Sequence, residues 1–294
     1  MNPLAALWLC WLITAFSPII SGFAVTVVHP IVLVLLGAIL ATLYFTPYLT
    51  KNKLWGRLFD KKTLLPFFIM GTFGTTLSFS ILIYALNYTT PGNVAILNQT
   101  EIIYSLILTS ILLKERPAKK QILGSVLVLI GVVTILLKEK FTPRITGDLI
   151  VVCTIWLFQV AHITAKKLPK DLPHNLIAAA RNIFAIPSAI IICLILLPMG
   201  KLYLKPGFQF FAVLTATGIF KYGLAMTLWY IALKKIDVSK MTVILLSYPA
   251  ASFILSILFG FETPRMYQII GLVLTFAGAF LVSNVVKQQQ KEAQ

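Results

Sequence analysis

The chain has 294 residues, of which 59% are hydrophobic and only 12% are charged, and its formal net charge is +16. Soluble domains carry about 25% charged residues, so this chain lacks the polar surface that a water-soluble fold requires. Its Lys and Arg residues lie almost entirely in short connections between apolar runs, which indicates a membrane topology and excludes a basic face that binds nucleic acid.

Apolar segments of bilayer-spanning length, about 20 residues, follow one another along the whole chain. They are too long for the strands of a membrane barrel, so we predict an all-α integral membrane protein with ten transmembrane helices. The predicted spans are residues 4–22, 29–49, 64–86, 92–113, 120–138, 147–165, 174–197, 208–233, 239–260 and 266–285.

The distribution of basic residues predicts the orientation of these spans. If the N-terminus is cytoplasmic, 17 Lys and Arg residues fall on the cytoplasmic side and 6 on the external side. No basic segment precedes the first apolar run, so we interpret that run as a membrane helix and not as a signal peptide. We therefore expect a multi-pass protein of the cell (inner) membrane, embedded in the lipid bilayer with both termini in the cytoplasm.

The second half of the chain repeats the first half with an offset of 147 residues. Residues 115–131 and 262–278 align without a gap and are identical at 8 of 17 positions. This repeat predicts two five-helix units, residues 1–141 and 142–294. Because five is odd, the second unit would enter the membrane inverted relative to the first. The shared residues that we interpret as structural or gating are Glu115, Pro117, Gly124 and Gly131, with Glu262, Pro264, Gly271 and Gly278.

Helix capping and helix packing explain these shared residues, although a direct role in transport is the alternative. Pro117 and Pro264 can occupy the first turn of a helix, and Glu115 and Glu262 precede its positive end. Glycines seven residues apart form a small stripe in each unit, which allows membrane helices to approach closely. Exposed stripes of this kind would also allow a homodimer.

The repeated segments LLKERPAKKQILGSVLVLIGVV and FGFETPRMYQIIGLVLTFAGAF resemble the signature of the drug/metabolite transporter superfamily, in particular its EamA-type ten-helix members. The resemblance covers nearly the whole chain in length, span number and duplication. It implies two inverted five-helix repeats, alternating access, and a central cavity from which the fifth and tenth helices pack away. The segment AAARNIFAI, with Arg181, resembles a motif of the family's seventh helix.

Ionisable side chains inside membrane spans are costly and mark functional sites by default. Glu101, Arg181 and Lys221 lie within predicted spans, and the repeat partners of Glu101 and Lys221 are Tyr248 and Gly74. Positions that differ between the halves do not serve the shared fold, so we predict a polar substrate site in the middle of the membrane. Glu101 would bind an ammonium group and Lys221 or Arg181 a carboxylate. The alternative is a buried ion pair of Glu101 with either cation that fixes the helix register.

Polar and aromatic residues close to these charges are further candidates for substrate contacts. Asn98, Gln99 and Tyr104 lie within about one turn of the carboxylate on the fourth span. Tyr248 precedes Pro249, which should bend or break the ninth span and contribute to gating. His162 lies near the end of a predicted span, and we interpret it as structural or interfacial.

These features together predict a secondary transporter, an exporter or exchanger, of small polar or amphipathic metabolites such as amino acids. The alternatives are a membrane-embedded transferase and a passive facilitator. A transferase needs clustered catalytic groups, and the nine acidic residues of this chain form no such cluster. We predict no catalytic residue, no metal and no cofactor, since the cysteines lack ligand spacing and no Walker-type loop occurs.

Overall fold

The computed structural model describes residues 1–16, 20, 23–24, 26–85, 88, 97–136, 145–258 and 265–292. Regular structure within these ranges is helical, apart from one isolated β-bridge between Val28 and Leu204. The α-helices of these ranges are α1 (Pro3–Ala15), α2 (Pro30–Lys51), α3 (Trp55–Leu58), α4 (Lys61–Gly71), α5 (Ser78–Ala85), α6 (Thr100–Leu112), α7 (Lys119–Leu136), α8 (Ile145–Lys166), α9 (His174–Leu196), α10 (Phe208–Thr215), α11 (Met226–Leu233), α12 (Val238–Leu245), α13 (Tyr248–Leu258) and α14 (Met266–Glu292).

Two π-helical segments join consecutive helices into longer ones. Thr72–Leu77 connects α4 to α5, and Ala216–Ala225 connects α10 to α11. The described residues contain seven helical stretches that are long and apolar enough to cross a membrane. The all-α membrane architecture is therefore confirmed, while the number of ten spans stays a prediction. The helices α1 and α6 are apolar and shorter, with 13 residues each.

The helices α7 and α14, which are equivalent under the repeat, pack against each other through their glycines. A Cβ atom on Gly124 would lie 2.8 Å from the carbonyl oxygen of Gly278, and one on Gly131 would lie 2.6 Å from that of Gly271. The helices therefore run antiparallel at this contact. Under the repeat, Gly124 corresponds to Gly271 and Gly131 corresponds to Gly278. The two contacts are therefore equivalent to each other, as contacts across a two-fold axis are.

This contact changes the basis of the predicted homodimer. The glycine stripes that were expected to be exposed are covered within one chain, because each stripe packs on the other. A contact between two copies would therefore have to use a different surface.

Glu115 caps a helix in the other half of the chain. Its Oε1 accepts a hydrogen bond from the backbone N–H of Val238 at 2.9 Å, and its Oε2 accepts one from the Ser239 hydroxyl at 2.6 Å. Gln121 Nε2 donates to the same hydroxyl oxygen at 2.9 Å. A carboxylate is favourable at the positive start of a helix, and here that helix is α12.

This arrangement corrects the expectation that Glu115 caps the helix that follows it. Pro117 lies two residues before Lys119, the first residue of α7, and not within its first turn. The connection between α6 and α7 brings the Glu115 carboxylate to the start of α12, so the shared motif links the two halves. The equivalent residues Glu262 and Pro264 lie outside the described residues.

The glycine contact predicts that Gly131→Ala destabilises the protein. The added Cβ would overlap the Thr275 hydroxyl and lie 2.6 Å from the Gly271 carbonyl oxygen, which is backbone and cannot rotate away. We expect a loss of about 1–3 kcal/mol, measured as a lower thermal unfolding midpoint in detergent. Gly56→Ala is the matched control, since nothing lies within 4 Å of its added Cβ. Equal midpoints for the two variants would contradict the close contact.

The cap predicts that Glu115→Gln lowers stability although the side chain keeps its size. The amide accepts with one oxygen and carries no charge, so the charge-assisted bonds to the start of α12 are weakened. We expect a loss of about 1–3 kcal/mol in the same unfolding measurement. The control is Asp171→Asn, whose ion pair with Arg57 is solvent-exposed and should contribute little. A change no larger than that of the control would argue against the cap.

Candidate substrate-binding cavity

A cavity of about 200 Å³ lies between the helices and takes its walls from both halves of the chain. Its lining combines aromatic and aliphatic side chains with a small number of polar and charged groups, as substrate pockets commonly do. The lining residues are Thr14, Thr75, Phe79, Leu82, Asn98, Glu101, Phe158, His162, Arg181, Asn182, Lys221, Tyr222, Met226, Trp229, Leu245, Leu246 and Tyr248.

Each half of the chain contributes one π-helical segment to the cavity wall. Thr75 belongs to the first segment, and Lys221 and Tyr222 belong to the second. The two segments overlap under the 147-residue repeat, which places Gly74 opposite Lys221 in the alignment. Short π-helical segments within longer helices frequently occur at functional sites.

Each half also has a turn beside the cavity in its fourth predicted span. The helix α6 begins at Thr100 after a turn at residues 98–99, and α13 begins at Tyr248 after a turn at residues 246–247. When the halves are aligned by the 147-residue offset, the two turns have the same length and their positions differ by one residue. The second turn immediately precedes Tyr248 and Pro249, where a break was expected, because Pro249 has no N–H to donate to the carbonyl oxygen of Leu245 at the end of α12. Trp11 Nε1 donates to the Ser247 hydroxyl at 2.9 Å and so joins α1 to this turn.

Glu101 lies in the first turn of α6 and faces two polar side chains of α8. Its Oε1 accepts a hydrogen bond from Gln159 Nε2 at 2.7 Å and lies 3.9 Å from His162 Nε2. Within the described part of the chain, no ion pair within 4.0 Å joins Glu101 to Arg181 or Lys221. In this conformation the carboxylate therefore contributes to the cavity wall and does not serve as the partner of either cation.

Gln159 and His162 were not identified as site residues from the sequence. His162 was interpreted as structural or interfacial, yet it lines the cavity, with its ring centroid 4.7 Å from that of Trp229. The available signal was the spacing of the two polar residues. They are three apart within an apolar segment, so they share one face of α8 and both reach Glu101.

Arg181 is buried on α9, with 5% of its surface exposed, and its hydrogen-bond partners are neutral. Its guanidinium donates to the carbonyl oxygen of Gly74, to the Thr75 hydroxyl at 3.0 Å and to the Tyr230 hydroxyl at 3.4 Å. The first π-helical segment therefore holds the cation in position. Its hydrogen-bond acceptors are all neutral, and the nearby Glu101 carboxylate lines the same cavity without forming an ion pair with it.

Lys221 is the second cation of the cavity. Its Nζ lies 5.2 Å from the centroid of the Phe79 ring, and no acidic side chain of the described residues lies within 4.0 Å of it. The neighbouring Tyr222 carbonyl oxygen accepts a hydrogen bond from Asn182 Nδ2 at 3.1 Å, which fixes the second π-helical segment against α9.

The remaining sequence candidates divide into two groups. Asn98 and Tyr248 line the cavity, whereas Gln99 and Tyr104 do not belong to its lining. Tyr104 donates its hydroxyl to the Val152 carbonyl oxygen at 3.1 Å and packs with a separate apolar cluster.

Lysine side chains hold the connection after α8 against the connection after α11. Lys166 Nζ donates to the carbonyl oxygens of Leu233 and Ile236 at 2.5 Å each. Lys234 Nζ donates to the Lys170 carbonyl oxygen at 2.8 Å, and burial lowers the pKa of Lys234. Together with the Glu115 cap, these bonds hold the connections of the two halves together at one end of the helices.

The helical fold and the seven apolar stretches define a multi-pass membrane protein. The sequence profile of the EamA-like transporter family matches the chain twice, over residues 3–137 and 145–284. The chain therefore belongs to the EamA-like transporter family and contains two EamA repeats.

Similar proteins carry the same general description. The uncharacterized transporter YyaM of Bacillus subtilis is 24% identical over 258 residues, which are 85% of this chain and 81% of that protein. An uncharacterized transporter of Acidianus ambivalens is 26% identical over 224 residues, covering 76% of this chain and 85% of the relative. A solved crystal structure has a TM-score of 0.80 and 18% identity over 98% of each chain, which supports the fold. These comparisons indicate transport in general and point away from an enzyme.

The close packing of Gly74 predicts a coupled effect of two substitutions. A Cβ on Gly74 would overlap the Ala161 side chain and lie 3.1 Å from Arg181 Nη2, so we expect Gly74→Ala to cost about 1–3 kcal/mol of stability. Ala161→Gly removes the overlapping methyl group. The double variant should therefore lose less stability than the sum of the losses of the two single variants. Additive effects in a thermal unfolding cycle would contradict this packing.

Proposed function

We propose that the chain is a secondary transporter of small polar or amphipathic metabolites, such as amino acids, and that it works as an exporter or exchanger. The observation that carries the proposal is the charge pattern of the cavity. One carboxylate, Glu101, and two cations, Arg181 and Lys221, line the same space without pairing with one another. A ligand that carries both an ammonium and a carboxylate group would satisfy both signs of charge.

The local structure around these charges supports the same proposal. Arg181 and Lys221 sit on or against π-helical segments, and Glu101 and Tyr248 lie at the start of helices that follow turns. Interrupted helices near the middle of the membrane commonly form substrate sites in secondary transporters. We assign Asn98, Tyr248 and His162 to the wall of the substrate site, because all three line the cavity.

We further propose ten spans arranged as two inverted units, residues 1–141 and 142–294, in the cell (inner) membrane with both termini in the cytoplasm. The antiparallel packing of the equivalent helices α7 and α14 supports inversion. Alternating access would then require the contacts made by Lys166, Lys234 and Glu115 to break when the cavity opens to the cytoplasm.

Transport by purified protein in liposomes tests this function, with a panel of labelled amino acids, nucleotides and sugars as the probes. We expect uptake of at least one zwitterionic compound. Lys221→Ala and Glu101→Gln should each reduce that flux about ten- to a hundredfold, since a hydrogen bond to a charged group contributes about 1.5–3 kcal/mol.

Matched controls separate a site effect from a loss of charge or of folding. Lys205→Ala and Asp171→Asn remove the same charges at exposed positions and should leave the flux unchanged. Full flux in correctly inserted Lys221→Ala and Glu101→Gln proteins would refute the assigned ligand contacts. Flux that equilibrates a gradient without exchange or coupling would favour a facilitator.

A further inference from the structure

A second cavity, of about 310 Å³, lies between the C-terminal part of α1 and the second π-helical segment. Its wall is apolar along almost its whole length and includes Leu12, Ile13, Phe16 and Phe220. Its polar lining residues are Thr217 and Lys221, and Lys221 also lines the central cavity. We call this space the lateral pocket.

The lateral pocket and the central cavity meet at Lys221. This residue lines both spaces, and the neighbouring α1 residues Ile13 and Thr14 line one each. The two spaces therefore adjoin on the two sides of a single lysine. A molecule bound at Lys221 could reach into both of them.

The outer wall of the lateral pocket faces the surface that hydrocarbon would cover. Leu12 is 48% exposed and Phe220 is 51% exposed, and both lie inside predicted membrane spans. A small zwitterion has no group that would use this wall. An apolar chain would gain from it, because it removes apolar surface from the aqueous cavity.

The charge of Lys221 indicates the other part of the ligand. The contact described for the Lys221 ammonium is the face of Phe79, and the described residues place no carboxylate within 4.0 Å of it. A cation at such a position is stabilised by an anionic group of the ligand. Apolar wall and cation together match an amphiphile with an anionic or zwitterionic head and one apolar tail.

We propose that the transporter accepts single-tailed amphiphiles, with the anionic head bound at Lys221 in the central cavity and the tail in the lateral pocket. This inference rests on the proposed function and narrows its substrate class from small metabolites to those with an apolar tail. The tail would enter between α1 and the second π-helical segment, from the side of the bilayer.

Binding of straight-chain alkyl sulfonates to the purified protein in nanodiscs tests this inference, because these probes keep their negative charge. We expect the affinity to rise about fourfold for each added methylene until the pocket is filled. Alkylammonium ions of equal length should bind at least tenfold more weakly. Empty nanodiscs measure the partition of each probe into lipid, which is subtracted.

Two variants locate the tail and the head. Ala216 lines the lateral pocket, so Ala216→Phe should abolish the dependence on tail length and preserve the binding of ethyl sulfonate. Ala212→Phe is the matched control, since Ala212 is exposed one turn away on α10 and does not line the pocket. Lys221→Ala should weaken every sulfonate at least tenfold.

The outcomes separate this inference from the proposed function. Short sulfonates that bind through Lys221 without a gain from longer tails would refute the lateral pocket and leave the central site intact. If the affinity rises equally with tail length in Ala216→Phe and in the unaltered protein, the tail binds outside the lateral pocket. Failure of short sulfonates to bind, with full flux in Lys221→Ala, would overturn the central site itself. If Ala216→Phe does not fold, the length series in the unaltered protein and in Lys221→Ala decides the question.

Discussion

Inside the hydrocarbon layer no water is present to satisfy a polar group, so each one must find a partner within the protein or line a cavity. Most hydroxyl groups in the spans follow the simplest solution and bind a carbonyl oxygen one turn earlier, as Thr42 does to Ala38 and Thr275 to Gly271. The ionisable groups cannot be satisfied in this way. Glu101, Arg181 and Lys221 therefore gather around one space, and the surrounding helices are interrupted or widened to hold them.

The duplicated halves share a packing surface and differ at the cavity. The glycines of α7 and α14 meet across a pseudo-two-fold axis, which requires the same small residues in both copies. The cavity has no such requirement. There the Gly74 carbonyl oxygen accepts a hydrogen bond from Arg181, whereas Lys221, the equivalent of Gly74 under the repeat, contributes a cation. A duplicated scaffold can thus enclose an asymmetric site, as recognition of an asymmetric ligand demands.

Local patterns were sufficient to predict the class of fold and to select Glu101, Arg181 and Lys221, which line one cavity. Their role as substrate ligands stays a prediction. The length of the apolar runs and the basic residues between them predict membrane helices. The hydrocarbon thickness sets the length of each helix, and the basic residues near its ends set its orientation, so both signals lie within short stretches of chain. Gln159, His162 and the partner of Glu115 were missed or assigned incorrectly, because each depends on contacts between helices that are far apart in sequence. Tyr104 was close to Glu101 along the chain, yet it packs away from the cavity.

The sequence by itself determined that this protein is an all-helical membrane protein with two related halves of the EamA type. Composition and the length of the apolar runs are sums over local stretches of chain, and the repeat is found by aligning the chain with itself. The amino-acid sequence is sufficient for all three. Only the tertiary structure decided that Glu115 caps α12, that the glycine stripes cover each other, and that Lys221 stands between two cavities. Those features arise where helices from different halves meet, and the register of such contacts is set by packing in three dimensions.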